Sequence, residues 1–205
     1  MKTLIAIPCQ DMMHTDFVRS LLAMEIVGEV QFTFAQGSLV YDARNTLAEI
    51  AIEGGFDRVL WLDSDMVFPA DIMKRLHEDM DKGRELVTGL YFSRKRPIRP
   101  VCYRALYTDG IGIPHANPIT EWGEEVFQIA ACGFGAVMCS VDLIRRIRDH
   151  YLLPFSPVQG YGEDLSFCLR ATDLGVPMWC DPAIKLGHVG LAVYTEDVYR
   201  IEKTR

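Results

Sequence analysis

Two carboxylates separated by one residue stand at the end of an apolar run: Asp63 and Asp65 in "RVLWLDSDMVF", residues 58–68. Placing two anions beside Leu60, Trp61, Leu62, Met66 and Phe68 costs free energy unless a cation or strong donors receive them. On extended backbone, residues two apart face the same side, so both side chains can address one ligand. Carboxylate oxygens suit Mg²⁺ or Mn²⁺. The plainer alternative is a helix cap near Pro69, but Asp63 stands too far from Pro69 to be its N-cap.

Two further groups carry chemistry. In "QGYGEDLSFCLRATDLG", residues 159–175, a glycine-flanked loop delivers Glu163 and Asp164 to the first turn of a helix. Acids at a helix N-terminus are ordinary capping residues, and that helix end should lower the Asp164 pKa and so keep it ionised at neutral pH. In "KLGHVG", residues 185–190, His188 lies between glycines whose lack of side chains lets a ligand approach. A lone histidine is more often a satisfied surface residue than a ligand. A metal at Asp65 would still need protein ligands, and His188 can supply one.

These groups need a scaffold, and the chain supplies enough for one domain: 205 residues, 49% hydrophobic and 24% charged. The formal charge of −7 speaks against a broad basic surface for nucleic acid. A local exception is "SRKRPIRPVCYR", residues 93–104, whose five basic residues make either a solvated loop or a place to hold anions. The six cysteines form no C-x-x-C pair and suit reduced, buried thiols. No run reaches the roughly 18 to 20 apolar residues of a membrane span. The start reads as a strand and not as a signal peptide, so a cytoplasmic location is expected.

The hydrophobic pattern alternates strands and helices. Strands are expected at 3–7, 30–35, 58–62 and 85–92. Helices are expected from Asp16, along Ala43, Leu47, Ile50 and Ala51, and from Pro69 with Ile72, Met73, Leu76 and Met80 inward. That order is the signature of a parallel, three-layer α/β sheet. The second half predicts strands in "RPVCYR", "EVFQIAACGFGAVMCS" and "VPMWCD" and helices over 141–150 and 164–174, the latter with Leu165, Cys168, Leu169 and Thr172 inward. A mixed sheet attached to the parallel one follows, with "YLLPFSPVQGYG" as a surface loop and a short helix within 191–205 carrying Val193, Val198 and Ile201.

The ordered motifs "ARN" (43–45), "LDSDM" (62–66), "GFGAVM" (133–138), "GEDLSFCLR" (162–170) and "GHVG" (187–190) resemble a GT-A fold glycosyltransferase of the family 2 kind. The likeness is greatest to the short versions coded by bacteriophages and bacteria. It implies a Rossmann-like α/β/α domain over 1–190 with a mixed central sheet, residues 1–92 binding a nucleotide-diphosphate sugar and 93–190 serving acceptor and catalysis. A UDP-sugar is the expected donor, with Mn²⁺ or Mg²⁺ as cofactor. Asp65 is then a metal ligand, His188 the third-ligand position, and Asp63 touches the ribose or a metal-bound water. Arg44 and Ser64 belong to the nucleotide-sugar site, and Pro8 and Gln36 border the base. Asp164, with Glu163 beside it, matches the general base of inverting members. Gly133, Phe134, Tyr161 and Gly162 match the lid and acceptor loop.

The family's Q-x-x-R-W stretch is absent, which disfavours a processive polysaccharide synthase. A D-x-D phosphatase would want Thr or Val where Met66 stands. A sugar nucleotidyltransferase would open with a glycine-rich, arginine-containing loop that "AIPCQDMM" lacks. A nucleotide-sugar or glycan binding module with little turnover is the non-enzymatic alternative. The acceptor is a glycan, a protein side chain or a modified base in phage DNA, the last placing the protein in a host cytoplasm.

Overall fold

The computed structural model describes residues 1–37, 39–190 and 193–204. The first half runs β1 (Lys2–Cys9), α1 (Thr15–Ala23), β2 (Glu29–Gln36), α2 (Val40–Glu53), β3 (Arg58–Leu62), β4 (Met66–Val67), α3 (Ile72–Met80) and β5 (Leu86–Leu90). The second half begins with β6 (Cys102–Thr108), β7 (Pro114–Pro118), β8 (Phe127–Ile129), β9 (Ala131–Cys132), β10 (Ala136–Ser140) and α4 (Val141–Tyr151). It ends with α5 (Glu163–Asp173), β11 (Met178–Lys185), β12 (Gly187–Val189), β13 (Val193–Tyr194) and α6 (Glu196–Lys203).

The central sheet has seven strands in the order β2-β1-β3-β10-β5-β11-β8. β1 is parallel to β2 and β3, and β11 is parallel to β5. The fourth strand of the sequence pattern does not pair with the third. Antiparallel β10 enters between them, with Val137 opposite both Trp61 and Thr88. The two halves of the chain therefore share one sheet.

Strand β3 explains the layers. Val59, Leu60, Trp61 and Leu62 are all fully buried, because alternate side chains feed cores on opposite faces. Val59 and Trp61 join Leu47, Ala51, Ile144, Ile147 and Phe167 from α2, α4 and α5. Leu60 and Leu62 join Phe17, Ile72, Met73 and Leu76 from α1 and α3. The result is helix, sheet, helix.

Several local expectations are corrected. Residues 63–65 are not extended: the Met66 amide donates to Asp63 O at 3.1 Å and closes a turn. The segment 151–162 is not wholly a surface loop. Phe155 is fully buried and packs on Trp61, Phe134 and Phe167 with ring centroids 4.9, 5.2 and 4.7 Å away. The buried face of α5 is Phe167, Cys168 and Ala171, not one carrying Thr172, which is exposed. In the tail, Val193 belongs to a strand and Ile201 is exposed, while Tyr199 stacks on Phe92 at 4.8 Å. Leu191, Ala192 and Arg205 of that expected tail lie outside the described residues.

Candidate active site

A cavity of about 600 Å³ opens at the carboxyl ends of β1, β3 and β5, the edge at which α/β sheets bind ligands. Pro8, Arg44, Asp63, Ser64, Asp65, Phe134, Glu163, Asp164 and His188 all line it. Gln36, Gly133, Tyr161 and Gly162 are not on its wall. Gln36 is exposed at the end of the edge strand β2. Tyr161 is buried, its hydroxyl shared between the carbonyls of Tyr107 and His115 at 2.7 and 3.0 Å. Gly133 is buried too, and a Cβ there would meet the Tyr91 hydroxyl at 2.0 Å. The packing of Gly133 and the two hydrogen bonds of Tyr161 hold these residues behind the wall of the cavity.

The turn after β3 is held at three points. The Asp63 amide donates to Gly135 O at 2.9 Å, the His14 amide to Ser64 O at 3.1 Å, and the Val189 amide to Asp65 O at 2.8 Å. Strands β4 and β12 then pair, with His188 opposite Met66, and so carry the imidazole to the turn. His188 Nε2 lies 3.5 Å from Asp65 Oδ2. Its other nitrogen, Nδ1, lies 3.0 Å from Phe92 O. The carbonyl can only accept, so Nδ1 carries a proton towards Phe92 O, and Nε2 is the nitrogen that faces the Asp65 carboxylate.

Arg44 organises the opposite wall. It is 2% exposed, with NH2 at 2.7 Å from Asp63 Oδ1 and Nε at 3.4 Å from Glu163 Oε1. Phe134 and Phe155 lie 5.3 and 5.9 Å from its guanidinium carbon. Its partners are this chain's own carboxylates, so it positions Asp63 and Glu163.

The acids differ in electrostatics. Burial would raise Asp65, but the hydrogen bond and charge of His188, with the charge of Arg94, outweigh it and hold the carboxyl below the usual range. Burial pushes Asp63 up despite Arg44, and neighbouring Asp65 and Glu163 add to the rise. Asp164 is pushed up to about 6, chiefly by burial and then by Glu163; the Leu165 amide, 2.7 Å from Oδ1, only partly offsets this. The helix end does not keep this carboxyl low, contrary to the sequence expectation, because desolvation outweighs one backbone donor.

Arg94, Lys95, Tyr91 and Tyr103 also line the cavity. The basic run at 93–104 signalled the first two. No periodic pattern marks the tyrosines. Burial pushes Tyr103 up to about 12, so its phenol stays protonated.

No protein-family model and no curated protein sequence matches the chain. Its shape does match solved structures. One is the A197 protein from STIV, with a TM-score of 0.67 and 18% identity over 93% of this chain and 86% of that one. Another is GalNAc-T7 with UDP, GalNAc and Mn²⁺, with a TM-score of 0.64 and 12% identity over 92% of this chain. The chain spans 44% of the GalNAc-T7 chain. At these identities the likeness is one of fold, and the fold is the mixed α/β GT-A type. Among the described residues no helix is long and apolar enough to cross a membrane.

Proposed function

We propose that the protein is a glycosyltransferase that moves a sugar from a nucleotide-diphosphate donor, with a UDP-sugar as first choice, to an acceptor hydroxyl with inversion. The observation that carries the reading is the convergence on one cavity of the Asp65–His188 pair and of Asp164. The bound UDP, GalNAc and Mn²⁺ of the GalNAc-T7 structure support it by analogy of fold.

The residues fit a divalent cation of the Mn²⁺ or Mg²⁺ kind. Asp65 offers a depressed carboxyl, and His188 offers an imidazole whose tautomer is set by Phe92 O. Among the described residues no group of three acid, histidine or cysteine side chains is poised to hold a metal. A hard cation held by one or two protein ligands completes its shell from water and substrate phosphates. Asp63 therefore stands outside the ligand pair. Its Oδ1 is taken by Arg44, and Oδ2 is left for a ribose hydroxyl. When bound, the cation would neutralise charge on the departing diphosphate.

The chain's own residues do the rest. Asp164 accepts the proton of the attacking hydroxyl, a step worth typically about 10²–10⁴-fold. With its carboxyl near 6 it is ionised at neutral pH yet more basic than an ordinary aspartate. Arg44 keeps Glu163 and Asp63 from crowding Asp164 by pairing with both. Attack from the side of Asp164, opposite the leaving group, inverts the anomeric centre. The acceptor's class, whether glycan, protein side chain or modified DNA base, is read from product.

The test is a screen of nucleotide sugars with mass detection, followed by an anomeric coupling measurement by NMR on the first-formed glycoside. A β-linked product from an α-linked donor is expected. A retained configuration would remove Asp164 from the role of base.

A further inference from the structure

Arg94 occupies the ground that a metal would need. Its NH1 lies 2.5 Å from Asp65 Oδ2, the same oxygen that faces His188 Nε2 at 3.5 Å. The position is built into the fold. NH1 also donates to Val189 O at 3.2 Å, and Gly190 leaves room for the stem: a Cβ there would come 3.3 Å from Arg94 Cβ and Cδ. The side chain is nevertheless 49% exposed, so its solvent side is open for movement. Arg94 follows directly on Ser93, and both line the cavity together with Lys95.

A guanidinium and a divalent cation cannot share Asp65 Oδ2, because their charges repel strongly at that separation. A metal arriving alone has to displace Arg94 and leave it unpaired at the rim. A nucleotide diphosphate arriving alone meets Asp63, Asp65, Glu163 and Asp164 in the same cavity. Arriving together, the metal takes Asp65 while the diphosphate takes the released guanidinium, so each removes the other's obstacle.

Resting on the donor reading above, we infer that Arg94 is a two-position residue. It is the counter-ion of Asp65 in the free chain and a ligand of the donor's diphosphate in the complex. Metal and nucleotide binding are coupled through this one side chain. Coupling of this kind is reciprocal, so each ligand tightens the other by the same factor.

The experiment is Mn²⁺ titration by calorimetry, with free Mn²⁺ read independently by electron paramagnetic resonance. It uses wild type, Arg94→Gln and Arg94→Lys, each with and without UDP and corrected for the Mn²⁺–UDP complex in solution. In wild type, UDP is expected to tighten Mn²⁺ about tenfold or more. Arg94→Gln should bind Mn²⁺ alone about tenfold tighter than wild type, lose most of the UDP-induced gain and bind UDP more weakly, while Arg94→Lys, keeping the charge, stays near wild type. If Arg94→Gln binds Mn²⁺ alone no better than wild type, or Arg94→Lys gains as much as Arg94→Gln, the inference is overturned while the donor reading stands. If wild type binds no Mn²⁺ even with UDP, the donor reading falls and takes the inference with it.

Discussion

Arg44 NH2 lies 2.7 Å from Asp63 Oδ1, a bond that ties the first half of α2 to the turn after β3. This guanidinium is 2% exposed, and among the described residues it is satisfied by Asp63, Glu163, the Phe134 carbonyl at 3.4 Å and the rings of Phe134 and Phe155. Removing it leaves two carboxylates facing each other without a cation. Arg44→Ala should lower stability at neutral pH by roughly 3–5 kcal/mol, the range for breaking one side of a buried ion pair. The loss should shrink towards about pH 4, where the stranded acids can protonate. Chemical denaturation at both pH values checks this, and an equal loss at both would contradict it.

Asp164 links stability to activity with opposite signs. Its folded pKa of about 6 lies above the ordinary value, so the native state binds more protons than the unfolded chain between the two. Stability from this group therefore falls as pH rises from about 4 to 6 and stays low above that. Asp164→Asn should stabilise the protein at pH 8 by on the order of 1–3 kcal/mol and change little at pH 4. Thermal unfolding at the two pH values reads the difference. The same variant should lose most turnover.

The activity profile follows from the same group. A base that must be ionised loses activity as pH falls through its pKa, so log kcat should decline with unit slope below about pH 6. A rate that is flat down to pH 5 would point to a different base.

Gly133 and Tyr91 form a steric pair. A Cβ at 133 would lie 2.0 Å from the Tyr91 hydroxyl and 2.7 Å from Val101 Cγ1. Gly133→Ala should cost roughly 1–3 kcal/mol by overpacking. Adding Tyr91→Phe should recover part of that, since the hydroxyl is the nearest obstacle. Additive losses in the double-mutant cycle would show that the two residues do not share the contact.

How much of this was legible in the sequence depended on the range of the interaction. The runs at 3–7 and 58–62 and the stripe from Ile72 to Met80 carry their period locally, and each formed the expected element. The entry of β10 between β3 and β5 was not legible, because Val137, Trp61 and Thr88 meet only through distant pairing. Pairing of β4 with β12 was hidden for a second reason. Strands of two and three residues are too short to show alternation, yet this ladder sets His188 beside Asp65. The candidate acids and His188 were legible because carboxylates within apolar runs are unusual. The burial of Arg44 was not: an arginine on a helix reads as solvated until its partners at 63 and 163 are known.

The most direct measurement of the central claim compares wild type, Asp65→Ala and Asp164→Asn for donor binding and for turnover, with Mn²⁺ and the best nucleotide sugar from the screen. Wild type should release nucleoside diphosphate and transfer the sugar, and EDTA should abolish both. Asp164→Asn should bind the donor with near-wild-type affinity and fall by about 10²–10⁴-fold in kcat. Asp65→Ala should lose donor binding itself. If Asp164→Asn loses as much donor affinity as Asp65→Ala, or if wild type turns over fully in EDTA, the assignment of metal side and base side within this cavity is wrong.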